Sequence, residues 1–98
     1  MLHAEALAVD LRLPACRSLK DKRVIVRHLV DRSRARYGVA AAEVGRLDQR
    51  QRALLGFAAV GGSHGHVDGV LDAVERFVWS HPEVEVLSTE RSWLEPDG

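Results

Sequence analysis

The 98-residue chain predicts an α+β fold, a four-stranded antiparallel sheet carrying two helices on one face. Three observations carry that expectation. Apolar residues alternate with polar or small ones along the N-terminal segment, a period of two. Two later segments repeat their apolar residues at helical spacing. Breakers separate these segments into the order strand, helix, strand, strand, helix, strand.

The first strand spans roughly His3–Leu13, where Leu7, Val9, Leu11 and Leu13 alternate with Ala6, Ala8, Asp10 and Arg12. Pro14 ends it, because proline has no N–H for the ladder. The first helix spans Leu19–Tyr37. Ser18 is the N-cap, its hydroxyl accepting from a free backbone N–H, and Asp21 places a carboxylate in the first turn. Leu19, Val26, Leu29, Val30, Ser33 and Tyr37 share one side, and Gly38 closes the helix. A second strand of small residues follows over Val39–Arg46, a turn over Leu47–Gln49, and a third strand over Arg52–Val60, apolar on both sides. Gly61 and Gly62 break it. The second helix, His64–Ser80 with Ser63 as N-cap, buries Val67, Val70, Leu71, Val74, Phe77 and Val78. His81 and Pro82 stop it. The last strand spans Val84–Trp93, before the polar tail "EPDG".

The order β-α-β-β-α-β at this length is that of the ferredoxin-like split βαβ, here one domain over residues 1–98. Right-handed crossovers put both helices on one face and make the first and third strands central. The other face is then open and, on the first strand, carries Ala6 and Ala8. Bare apolar sheet area in so small a protein predicts a homodimer through that face.

A chain that is 46% apolar and 29% charged belongs with soluble globular proteins. No apolar run approaches the ~20 residues that cross a bilayer, so no membrane contact is expected. The N-terminus "MLHAEALAVDLRL" contains acids and alternates in character, unlike a signal peptide. Cys16 is the single cysteine, which excludes an internal disulfide and fits the cytoplasm. The net charge is zero, but it is unevenly spread. Residues 12–52 hold twelve Lys and Arg against four acids, a net of +8, whereas residues 53–98 hold two against eight, a net of −6. Such a charge dipole points to a polyanion.

The pieces "LRLPACRSLKDKRVIVRHL" (Leu11–Leu29), "VAAAEVGRLDQRQRALLGFAAV" (Val39–Val60) and "HPEVEVLSTER" (His81–Arg91) together resemble the bacterial YlxP-like family. The "RSLKDKR" run and the hairpin are the specific parts. The resemblance implies a ferredoxin-like fold and a bacterial cytoplasmic protein, from a family often encoded among translation-initiation and ribosome-maturation genes. It supplies no activity and no catalytic residues. Relatives commonly show another residue at the position of Cys16, which argues against a family nucleophile there.

The basic helix is the leading candidate site. At 100° per residue, Lys20, Arg23, Arg27 and Arg34 fall within a stripe of about 60°, interrupted by Asp31. Arg17 and the helix N-terminus, which favours anions, lie at its start. Arg50 and Arg52 extend the excess into the hairpin. These seven residues are the expected contacts to the phosphates of RNA or a ribosomal subunit. The competing expectation is a solvated or paired face: Arg27 and Asp31 stand at i,i+4, and Asp68, Asp72 and Glu75 on the second helix could neutralise the basic half within the chain or across a dimer. A protein–protein or self-assembly module is then the alternative function.

Other signals are weaker. "LGFAAV" resembles the end of an RNA-recognition strand, but such strands stack bases on aromatics, and Phe57 stands alone and reads as core. Small acylphosphatases share the topology and cradle phosphate in the loop before the first helix, where Arg17 and the Ser18–Lys20 amides stand. They also need an asparagine, and this chain has none. No enzyme is expected. Cys16, beside Arg17 and a helix N-terminus, is placed for a lowered thiol pKa, yet no histidine accompanies it and an inert thiol is the plainer reading. His64 and His66 point apart on a helix, so neither a metal nor another cofactor is expected. Trp93 covers the sheet or a dimer contact.

Overall fold

The computed structural model describes residues 1–94; the "EPDG" tail lies outside them. It has the expected order: β1 (His3–Arg12), α1 (Leu19–Tyr37), β2 (Ala40–Gly45), β3 (Arg52–Gly61), α2 (His64–Trp79) and β4 (Glu85–Leu94). The sheet order is β2-β3-β1-β4, all pairs antiparallel, with β1 and β3 central. This is the ferredoxin-like α+β fold.

Alternation sorts the two faces of the sheet. Leu7, Val9 and Leu11 of β1 and Ala53, Leu55, Phe57 and Ala59 of β3 are buried against the helices. Phe57 is core, as its lone position predicts. α1 contributes Ile25, Val26, Leu29 and Val30, and α2 contributes Val67, Leu71, Val74 and Val78. Burying an aliphatic side chain of this kind contributes about 1.5–3 kcal/mol. The opposite face carries Ala6 and Ala8 of β1, Ala58 and Gly56 of β3, and Ala40 and Ala42 of β2. The helices leave it open.

The helix ends form where the sequence places them. The Ser18 hydroxyl accepts from the Asp21 amide at 3.0 Å, and Gly38 adopts φ 67°, donating its N–H to the Arg34 carbonyl at 3.1 Å. Boundaries move by one or two residues. β1 ends at Arg12 rather than Leu13. β2 starts at Ala40 rather than Val39 and stops before Arg46, which takes φ 58° and turns the chain out of the ladder. α2 ends at Trp79, with Ser80 as its C-cap.

A basic groove between the first helix and the edge strand

The "RSLKDKR" run divides its charges between two faces of α1. Lys22 turns inward and is 1% exposed. Its Nζ lies 2.8 Å from the Glu43 carboxylate of β2 and donates to the carbonyls of Arg46 (3.0 Å), Leu47 (3.2 Å) and Arg52 (3.4 Å). A buried ammonium needs partners for all its protons, and here they come from the β2–β3 hairpin. Gln51 adds to the tether by donating to the carbonyls of Pro14 and Cys16. The hairpin is thereby held against the N-terminal end of α1. That brings Arg50 to the same end of the molecule as Arg17 and Lys20.

The other cations of the run face solvent. Arg17, Lys20, Arg23 and Arg27 are exposed, and among the described residues none lies in an ion pair. Arg23, Arg27 and Arg34 line a shallow groove of about 340 Å³ between α1 and β2, floored by Val26, Val30 and Ala42. Asp31 and Glu43 also line it, so it carries three cations and two acids. Arg34 reaches round the edge of the sheet, donating to the Ala41 carbonyl at 2.7 Å, with Asp31 at 3.9 Å. It blunts the free edge of β2.

Two of the seven expected residues have other engagements. Arg52 donates to both carboxylate oxygens of Asp10, at 3.0 and 3.1 Å, with Arg46 on the same carboxylate at 3.1 Å. It therefore stands apart from the α1 strip. Arg34 is half-engaged with Ala41. Arg17, Lys20, Arg23 and Arg27 form the open strip, and Arg50 extends it on the hairpin.

At the start of α1, Asp21 Oδ2 accepts from the Arg17 amide at 2.9 Å, which places the chain's own carboxylate beside the expected anion cradle. Cys16 is 2% exposed, and burial with Asp21 and Glu83 nearby pushes its thiol pKa up. The expectation of a lowered value fails because the side chain points into the core, away from the helix end. Among the described residues no group of three His, Cys, Asp or Glu is arranged around a metal position. Among the described residues no helix is long and apolar enough to cross a membrane.

The acids of α2 do not neutralise α1 within the chain. Asp68, Asp72 and Glu75 converge instead on Arg91 of β4, at 2.8, 2.8 and 3.6 Å. Glu5 of β1 joins them from beneath at 3.2 Å. The i, i+4, i+7 spacing on α2 was visible in the sequence, but its partner was not. Glu5 and Lys22 were also missed: a charge inside an alternating or helical pattern reads as solvent-facing until its partner is known. Trp93 stacks on His64 with ring centroids 3.5 Å apart, covering the helix side of the sheet.

Comparison with known proteins gives two findings. Residues 5–91 match the family model described as "Protein of unknown function (DUF503)". The chain is also 34% identical over 77 residues to a Bacillus subtilis (strain 168) protein named "Uncharacterized protein YlxP", covering 79% of this chain and 84% of that protein. With both helices, the hairpin and most of the sheet inside the matched span, the chain belongs to the DUF503 family.

Proposed function

We propose that the protein is a non-enzymatic, cytoplasmic accessory factor that binds RNA, free or within a ribosomal subunit, through phosphate contacts along the outer face of α1. One observation carries this reading: among the described residues, Lys20, Arg23 and Arg27 on one face of α1 and Arg17 just before it stand exposed and outside any ion pair. The buried charges support it by contrast. Where this chain needs a cation for its fold, as at Lys22, Arg52 and Arg91, it supplies a carboxylate or carbonyl partner. The strip on α1 has been given none. From Arg17 to Arg27 the chain advances about 15 Å at helical rise, enough to follow two or three phosphates on one strand, and Val26, Val30 and Ala42 give the groove its apolar lining. Base stacking has no place in this mode, because Phe57 is buried. Recognition is by charge and shape. The internal carboxylate at the α1 N-terminus also favours a non-enzymatic reading, because it sets a negative charge beside the loop that would hold a reacting phosphate.

The test is binding to a structured RNA and co-sedimentation with ribosomal subunits at two ionic strengths. Four phosphate contacts imply a log–log salt slope of about −3, so affinity falls about 50-fold between ~50 and ~200 mM salt. Arg23→Glu with Arg27→Glu abolishes binding and leaves the circular dichroism spectrum unchanged. Affinity that ignores both salt and the double reversal would overturn the proposal.

A further inference from the structure

We infer that the open face of the sheet is the seat of a second copy of this chain, packed about a two-fold axis that runs parallel to the strands. The inference is independent of RNA binding.

The cross-strand registers define the surface. Ala40, Ala58, Ala6 and Ser92 form one row across the four strands, and Ala42, Gly56, Ala8 and Glu90 form the next. These rows line a trough of about 580 Å³. A Cβ on Gly56 would come within 3.1 Å of Val44, so the trough floor there is bare backbone. A further row holds Val60, Ala4 and Leu94, with Val60 68% and Leu94 73% exposed. Large apolar side chains left in water beside a trough of alanines call for a cover.

Charge selects the cover. Arg34 lines the trough on the β2 side, held there by the Ala41 carbonyl, and Glu90 lines it on the β4 side. Both belong to nearly the same height along the strands, at opposite edges of the sheet. Rotation about an axis parallel to the strands keeps that height and exchanges the edges, so Arg34 of each copy meets Glu90 of the other. Rotation about an axis across the strands would set Arg34 against Arg34 and Glu90 against Glu90. The face is therefore complementary to itself in one two-fold arrangement and repulsive in the other.

Shape agrees. The same rotation lays β3 over β1 of the second copy, so Val60 meets Ala4 and the alanine rows meet each other. Two sheets packed in this way form an aligned sandwich. Four strands ~4.8 Å apart, each contributing seven or so residues at ~3.3 Å, offer roughly 450 Å² per copy. That is a small interface, near the lower bound of about 1,000 Å² in total for a specific complex. A dimer in the micromolar range is expected, with the Asp10–Arg46–Arg52 cluster left at its polar rim.

Sedimentation velocity across a concentration series tests this. The wild-type chain passes from monomer to dimer, and Ala6→Arg, on the exposed floor of the trough, remains monomeric with an unchanged circular dichroism spectrum. Arg34→Glu and Glu90→Arg each weaken the dimer about tenfold, and the two together restore it to within about threefold. Arg34→Glu also removes the bond to Ala41, but the double variant shares that loss. Recovery in the double variant thus reads the contact between copies, even if Ala6→Arg does not fold. A wild-type chain that stays monomeric to high micromolar concentration, or a double variant no tighter than the singles, overturns the inference.

Discussion

Two ion clusters grip β1 from its two faces, and they are inverses of each other. On the helix face, one cation, Arg91, is surrounded by the carboxylates of Glu5, Asp68, Asp72 and Glu75. On the open face, one carboxylate, Asp10, is held by Arg46 and Arg52. The titration of the strand's own acid follows the stoichiometry. Glu5 has no exposed side-chain surface; burial raises its pKa and the neighbouring Asp68 raises it further, more than Arg91 lowers it. Burial also acts upward on Asp10, but the hydrogen bonds from Arg52 and Arg46 outweigh it and hold the carboxyl below its ordinary value. Burial alone does not set the sign. The number of cations per carboxylate does.

The comparison breaks most visibly at Arg91. Arg91→Met leaves four carboxylates together, one of them fully enclosed, with nothing to offset their repulsion. Asp68 and Asp72 are half exposed and can hydrate, but the enclosed Glu5 loses its cation, so urea denaturation should show a loss of about 2 kcal/mol at neutral pH. A loss under about 1 kcal/mol would mean that Asp68, Asp72 and Glu75 swing into water and that Arg91 matters little to the fold.

Asp10→Asn probes the opposite stoichiometry and costs less. Arg46 and Arg52 remain one-third exposed and can hydrate, so the expected loss is about 1 kcal/mol at pH 7. The pH dependence carries the sharper signature. A depressed folded pKa contributes stability above the unfolded value of about 3.8 and loses it as pH falls through the folded value. Wild type and Asp10→Asn should therefore converge in stability as the solution is acidified below pH 4. Curves that stay parallel would show that Asp10 acts through packing rather than charge.

These clusters mark the limit of what the sequence discloses. The fold was legible because its signals are local: alternation in β1, the serine caps of both helices, glycine at the end of α1, and a breaker between every pair of elements. Boundaries slipped by a residue at several ends, and at Arg46 a positive φ is the reason. The open strip on α1 was legible too, since helical phase alone puts Lys20, Arg23 and Arg27 together. What stayed hidden was every charge whose partner is far along the chain. Lys22 and Arg23 are neighbours in a run of like charges, yet one is enclosed by a hairpin 21 or more residues downstream and the other is in water. Arg52 was expected to extend the basic excess into the hairpin and belongs to Asp10, 42 residues upstream. Asp68, Asp72 and Glu75 looked like a counterweight to α1 and belong to Arg91. Tertiary pairing, not composition, decides which cations of a basic segment remain available to a ligand.

The smallest predicted effect is the most discriminating, because its sign tests the rule drawn from the two clusters. Glu5→Gln replaces the enclosed carboxyl by an amide of the same shape. A raised folded pKa means that the folded state binds the proton more tightly than the unfolded one. The stability it contributes is full below the unfolded value of about 4.5 and is lost as pH rises through the folded value. The amide cannot ionise, so the variant escapes that loss. It should be close to wild type near pH 4 and gain on it towards pH 7, by on the order of 0.5 kcal/mol, since losing the Glu5 charge also loses its attraction to Arg91. Asp10→Asn moves the other way over the acid range, falling further behind wild type as pH rises from 3 to 5. If Glu5→Gln instead loses ground as pH rises, attraction to Arg91 exceeds the combined effect of burial and Asp68. The two clusters would then be alike in sign, and the excess of carboxylates around Arg91 would be a consequence of where α2 lies rather than the determinant of how Glu5 titrates.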